Sequence, residues 1–191
     1  MTETQSSLQH AANVLGALSL VIADRMNTAV DAVTALGPSA PAALTAIHQF
    51  LDGGSVTQLS SVLGLTHSGT VRLVDRLVAE GLVERGAARD ARAVSVALTP
   101  HGRDTAERIL QTRETSLTSA LSALSANEIG NLVTALDTML TTVTLARAEQ
   151  RATQSVNRPQ PWLCRLCDFA ACGRSEGDCP VNNATTTGNG S

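Results

Sequence analysis

Apolar side chains recur at intervals of three and four along most of this chain, the signature of helices with one face turned inward. From about residue 6 to 35 the series is Leu8, Ala12, Leu15, Leu18, Ile22, Met26, Val30 and Val33, which predicts a long first helix. A helix of that length carries more apolar surface than a small domain covers by itself, so a second copy of the chain is expected against it. Gly37-Pro38 breaks the pattern, and a second helix follows over about 41–51, with Leu44, Ile47, His48 and Leu51 inward, until Asp52-Gly53-Gly54 ends it. A histidine in such a stripe reads as a core residue rather than a ligand. Further on, Thr99-Pro100 is a cap followed by proline at the first helical position, opening a helix to about residue 124. Ser125 and Glu128 then have capping-box spacing. Ile129, Leu132, Val133, Leu136, Met139, Leu140 and Val143 mark a last long helix that fades near residue 150.

Between these helices the rhythm shortens. Ser55 and Gln58 have the spacing of a capping box at the start of a short helix that closes at Gly64, and Thr66 is placed to cap a second helix over about 67–80. On the projection of that second helix Val71, Val74, Leu77 and Val78 share a side, with Thr70 and His67 beside them, which predicts its core-facing stripe. Ser68, Arg72 and Arg76 stand four apart on the opposite side with Asp75, and two guanidiniums with a hydroxyl suit phosphate oxygens and guanine edges. After Gly81 the segment Leu82-Val83-Glu84-Arg85, a polar tip, and Ala93 through Leu98 predict a two-stranded hairpin. Its tip carries Arg89, Asp90 and Arg92, cations with the reach of a DNA backbone or minor groove, with Asp90 placed to orient one of them. Together these elements predict a winged helix-turn-helix. The plain alternative is an amphipathic helix beside an unrelated hairpin, since helix pairs of this kind are common in globular proteins.

Here the chain resembles the MarR family of bacterial regulators. Residues 66–76 match its recognition helix, Gly81-Leu82-Val83-Glu84-Arg85 the turn into the wing, and Asp90-Ala91-Arg92 through Leu98-Thr99 with Gly102 the wing and its exit. The resemblance covers about residues 6–149, with the outer helices matched by order and periodicity alone. It implies a mostly α fold with a small β-hairpin wing and long N- and C-terminal dimerisation helices. It also implies an intertwined homodimer, and double-stranded DNA carrying a pseudo-palindromic operator as the partner. His67, Ser68, Gly69, Thr70, Arg72 and Arg76 in recognition helix 67–80, with Arg89, Asp90 and Arg92 in wing 85–92, are then the residues expected to meet DNA. A small-molecule effector in or near the hinge between dimer helices and winged domain is part of the same implication. Two recognition helices entering successive major grooves stand roughly 34–36 Å apart, so anything that spreads the dimer changes affinity.

Composition narrows the partners. The 191 residues are 43% apolar but only 2% aromatic, so Ala, Leu and Val must fill the interior, and the scarcity of rings gives an effector no stacking box. All 14 basic side chains are arginine and the formal charge is −3, which argues against indiscriminate coating of nucleic acid. Positive charge is local instead, at His67, Arg72, Arg76, Arg85, Arg89 and Arg92. The N-terminus lacks the basic-then-apolar order of a secretory signal, and no uninterrupted apolar stretch reaches membrane-spanning length. A cytoplasmic location with no membrane partner is therefore expected.

The remainder departs from the family. Residues 151–161 are polar and proline-bearing and read as a linker, which leaves 1–150 as the DNA-binding and dimerisation domain. Residues 162–181 form a cysteine-rich tail in which Trp162 and Phe169 are expected to cap a miniature core too small to fold unaided. Residues 182–191 have little to bury and are expected to be disordered. The four cysteines, Cys164, Cys167, Cys172 and Cys179, all lie in this tail with spacing C-x2-C-x4-C-x6-C. They supply the four thiolates of a structural zinc site, whose binding would also provide folding free energy. They equally suit a [4Fe–4S] cluster, with Cys179-Pro180 matching the ending of bacterial ferredoxin motifs though not their spacing. Reversible disulfides are the third reading. A redox-active cluster would make the tail a sensor; zinc would make it a structural or partner-docking knob. No cysteine lies within residues 1–158, which excludes the peroxide sensing by an amino-terminal cysteine that one branch of the resembled family uses.

No catalytic arrangement presents itself. The CxxC pair lacks a thioredoxin-like strand-helix-strand setting, no Ser/His/Asp or paired-carboxylate set is evident, and His101 sits in a helix-opening turn. The expectation is a DNA-binding transcriptional regulator, not an enzyme, modulated by an effector or by the redox or metal state of its cysteines. The alternative is a helical protein-interaction or metal-binding module that does not bind DNA.

Overall fold

A computed structural model describes residues 3–87, 94–153 and 160–187. The elements run α1 (Glu3–Thr34), α2 (Ser39–Ala46), β1 (Gly54–Ser55), α3 (Val56–Leu63), α4 (His67–Ala79), β2 (Val83–Ala87), β3 (Val94–Leu98), α5 (Pro100–Leu121), α6 (Ala126–Thr153) and α7 (Pro180–Thr187). A single π-helical turn, Ile47–Leu51, continues α2, and a 3₁₀ turn, Leu163–Leu166, opens the tail.

The caps that sequence spacing predicts are made. Ser55 Oγ accepts from Gln58 N–H at 3.2 Å while Gln58 Oε1 accepts from Ser55 N–H at 2.8 Å. Ser125 and Glu128 repeat the exchange ahead of α6. Thr99 Oγ1 accepts from Gly102 N–H at the start of α5 and donates to Gly81 O at 2.6 Å, so one hydroxyl fastens α5 to the turn after α4. Both helices of the helix-turn-helix end at a glycine in the left-handed region, Gly64 at φ 66° and Gly81 at φ 66°. After each, the next amide closes the helix by reaching back five residues, Leu65 to Ser60 O and Leu82 to Leu77 O.

The sheet has one more strand than the predicted hairpin. Its order is β1-β3-β2, all antiparallel, with Val83 opposite Leu98 and Gly54 opposite Val96. Two residues of β1 give too little alternation to be legible in sequence, and it is the partner β3 that holds them extended.

Leu44, Ile47, Leu59, Leu73, Leu77 and Ile109 are 0–1% exposed and form the centre of the core. The second half of α1 closes it through Val30, with Met26 and Val33 packed alongside. The first half does not: Leu8, Val14, Leu15, Leu18, Leu20 and Val21 remain 42–69% exposed. Helix α6 is similar, with Ile129, Val133, Leu136, Met139, Leu140 and Val143 at 39–51%.

By length and composition alone these two helices, over Thr4–Thr34 and Ala126–Arg151, are also sufficient to cross a membrane, with mean hydropathy of 1.2 and 1.3 in their most apolar windows. Reading for uninterrupted apolar runs missed this, because polar residues are threaded through both. The end of α1 is sealed into the winged core through Val30 and is not a free span.

Residues 182–187 correct the expectation of a disordered end. They belong to α7, which lies along α6 and buries Ala184 to 6% exposure.

Candidate nucleic-acid interface and its docked tail

Helix α4 presents its N-terminal turn outward. Thr66 Oγ1 accepts the Gly69 amide at 3.1 Å and lies 3.4 Å from Ser68 Oγ. His67, Ser68 and Arg72 are exposed and Gly69 is half-buried. Free amides at a helix start favour anions, which suits a phosphate-facing end. Arg72 has no partner among the described residues.

The buried stripe differs from the predicted one. Thr70, Leu73, Val74 and Leu77 face the core, whereas Val78 is 39% exposed and Val71 is half-buried. The projection chose valines at helical spacing and left out Leu73, which the tertiary contacts place at 1% exposure. Thr70 is therefore removed from the contact face: it is 0% exposed, and its hydroxyl donates to Thr66 O at 3.0 Å.

Two other charges in this region are already engaged. Arg76 Nη1 donates to Leu36 O at 3.2 Å, tying α4 to the connection between α1 and α2. Arg85 on β2 pairs with Asp75 at 2.7 Å, bracing the wing strand against the recognition helix. The three predicted wing-tip residues Arg89, Asp90 and Arg92 lie outside the described residues.

The tail is not a detached appendage. Trp162 N–H donates to Val62 O at 2.8 Å, on the last turn of α3. Gln49 Oε1 accepts the Phe169 amide at 3.0 Å, and Arg147 on α6 donates to Pro161 O at 2.8 Å. The miniature core expected of Trp162 and Phe169 is completed by a residue of the main domain. Phe50 stacks between them, 5.8 Å from Trp162 and 5.2 Å from Phe169, with interplanar angles of 5° and 6°. The Arg174 guanidinium caps the far ring at 4.7 Å. All three aromatic residues of the protein thus form one column, so a low count of rings did not preclude a stacking box. Phe50 and Gln49 both sit in the π-helical turn, whose extra residue widens the helix at a place where such turns often mark function.

Cys164 and Cys179 are buried, Cys167 and Cys172 half-buried, and all four are free thiols. They associate in two pairs. The Cys164 thiol hydrogen-bonds Cys167 and, with Arg113 and Arg165 nearby, holds the Cys167 thiol down at about 6 against the cost of its burial. That same bond and burial push Cys164 strongly up. Burial, then Cys179, raises Cys172. Charge coupling runs between the pairs as well as within them. Among the described residues no three or more His, Cys, Asp or Glu side chains adopt a metal-holding arrangement.

The sequence model of the MarR family matches residues 36–93. Among solved structures the chain is similar to YusO protein from Bacillus subtilis, with TM-score 0.62 and 21% identity over 78% of this chain and 99% of that one. It is similar to a MarR family protein from Bacillus stearothermophilus, with TM-score 0.63 and 24% identity over 75% and 99%. It is also similar to MepR, a transcription regulator of the Staphylococcus aureus multidrug efflux pump MepA, with TM-score 0.61 and 16% identity over 69% and 97%. No protein of curated function matches the chain. The fold is that of the MarR-type winged-helix proteins.

Proposed function

We propose that this protein is a transcriptional regulator that binds double-stranded DNA as a homodimer, with α4 as recognition helix and the β2–β3 hairpin as wing. The observation that carries the reading is the exposed N-terminal turn of α4, with His67, Ser68 and an Arg72 that has no partner among the described residues, on a MarR-type winged-helix fold. The wing residues Arg89, Asp90 and Arg92 belong to the same proposed surface. The uncovered apolar faces of α1 and α6 support the dimer, because contiguous apolar area on this scale marks an interface. The pseudo-palindromic operator follows from the two-fold symmetry of such a dimer.

A gel shift on DNA flanking its own gene tests the reading. Arg72→Ala and Arg92→Ala are expected to weaken binding, by about 1–3 kcal/mol where a base contact is lost, and to make the salt dependence shallower by ~0.9 in slope where a phosphate contact is lost. Silent variants would leave a helical interaction module that does not touch DNA.

The cysteine tail is the proposed modulator. Cys164, Cys167, Cys172 and Cys179 are the residues that would hold zinc or a [4Fe–4S] cluster, and the donor set of four thiols suits either. The two-and-two pairing equally suits two reversible disulfides. A metal centre would need the pairs drawn together into one four-thiol set. The visible absorption spectrum of protein purified without oxygen separates these: a broad band lost in air identifies iron-sulfur, and a colourless preparation leaves zinc or thiols, which metal analysis distinguishes.

A further inference from the structure

Where α6, the aromatic column and α7 meet, the protein encloses a cavity of about 340 Å³. Its size is at the small end of the range for small-molecule sites. Three guanidiniums line it, Arg147, Arg151 and Arg174, and no carboxylate does. Arg147 gives one N–H to Pro161 O, but its Nε is buried with no partner. Desolvation, followed by repulsion from Arg151 and Arg165, works against its charge. An anion seated beside this guanidinium offsets both penalties.

The apolar wall is the aromatic column. Phe50 is covered on both faces, and Phe169 has Arg174 over its outer face, but Trp162 is stacked on one side only and remains 43% exposed. A flat ring laid on it would extend the column by one layer, an arrangement favoured for aromatic pairs. Planar guanidinium forks recognise phosphate or paired carboxylates in preference to a lone charge, and Arg147 with Arg151 match the two charges of a dianion.

We propose that this cavity binds a small planar molecule bearing a doubly charged anionic group, with its ring on Trp162 and its anion across Arg147 and Arg151. The walls contributed by residues 162–185 belong to the cysteine tail, so the site depends on that tail being docked. The proposal concerns the free protein and does not require that the chain bind DNA.

Trp162 is the only tryptophan and the chain has no tyrosine, so its emission reports on this cavity alone. Phenyl phosphate titrated into the full-length protein is expected to change that emission saturably, at one site per chain. Benzoate should bind more weakly by about tenfold or more, the scale of one charge-assisted hydrogen bond. Phenol and inorganic phosphate should not saturate. Arg147→Gln should weaken phenyl phosphate by a similar factor. Because Arg147 also holds Pro161, the exposed Arg151→Gln serves as a second variant that leaves the tail contacts in place. The proposal is overturned if phenyl phosphate gives no saturable change, or if benzoate, phenol or inorganic phosphate binds as tightly. Unaltered binding by both variants overturns it too. A gel shift on the same preparation reads DNA binding separately, so failure of either reading is distinguishable from failure of the other.

Discussion

Gly102 sits where the first turn of α5 crosses the backbone of Leu82 so closely that an added Cβ would overlap the Leu82 carbonyl oxygen. Backbone cannot swing aside as a long side chain can. Gly102→Ala is therefore expected to destabilise the winged unit by about 1–3 kcal/mol or more, the range for overpacking, seen as a lower midpoint of thermal unfolding. A second prediction at this scale concerns reactivity. In reduced protein freed of any metal, Cys167 is ionised above about 6 while burial and its bond to Cys167 keep Cys164 protonated. Alkylation by iodoacetamide at neutral pH should fall on Cys167 first and on Cys164 last, and the Cys167 rate should drop as pH is lowered through its own ionisation, both followed by mass spectrometry. Single residues were legible where their role is local. Ser55, Gly64, Thr66, Thr99 and Ser125 do what their spacing dictates, because caps are settled within four residues. Thr70 and Val78 were not, because which side of α4 meets the core is decided by α2 and α3.

At the level of elements, the π-helical turn after α2 links the tail to the winged unit. Phe50 has a ring on each face, and aromatic contacts contribute roughly 0.5–1.5 kcal/mol apiece beyond burial. Phe50→Ala should loosen the tail by about 1–3 kcal/mol on that scale, without unfolding the winged core. Trp162 emission shifting to the red, with faster amide exchange over residues 162–187 alone, would be the signature. A uniform rise in exchange across the chain would mean that Phe50 supports the whole domain instead. The helices were readable from their 3.6-residue period, and the hairpin from its alternation. The docking of the tail was not, since one carbonyl of α3, one amide side chain and one phenylalanine leave no periodic trace in sequence.

For the whole molecule, the uncovered faces of α1 and α6 determine behaviour. Placing charge at Leu136 and Val143, exposed at 41% and 49% in the single chain, would bury unpaired carboxylates at the proposed dimer contact. Leu136→Glu with Val143→Glu is expected to yield monomers in sedimentation equilibrium and to abolish specific DNA retention, while single-chain helicity by circular dichroism stays near that of the parent. A variant that remains dimeric would move the interface off α6. That such faces exist was evident from the length of the helices, but their true extent appears only once α5 and the core have taken their share of α1.

The positions of the pieces along the chain also set an order of events. Phe50, Gln49 and Val62, which receive the tail, leave the ribosome about a hundred residues before Trp162 and the cysteines do, and amino-terminal segments fold first during synthesis. The thiols thus emerge after the surface that receives them. The tail therefore meets a landing surface already built, and its docking is a late step for which the winged unit does not wait.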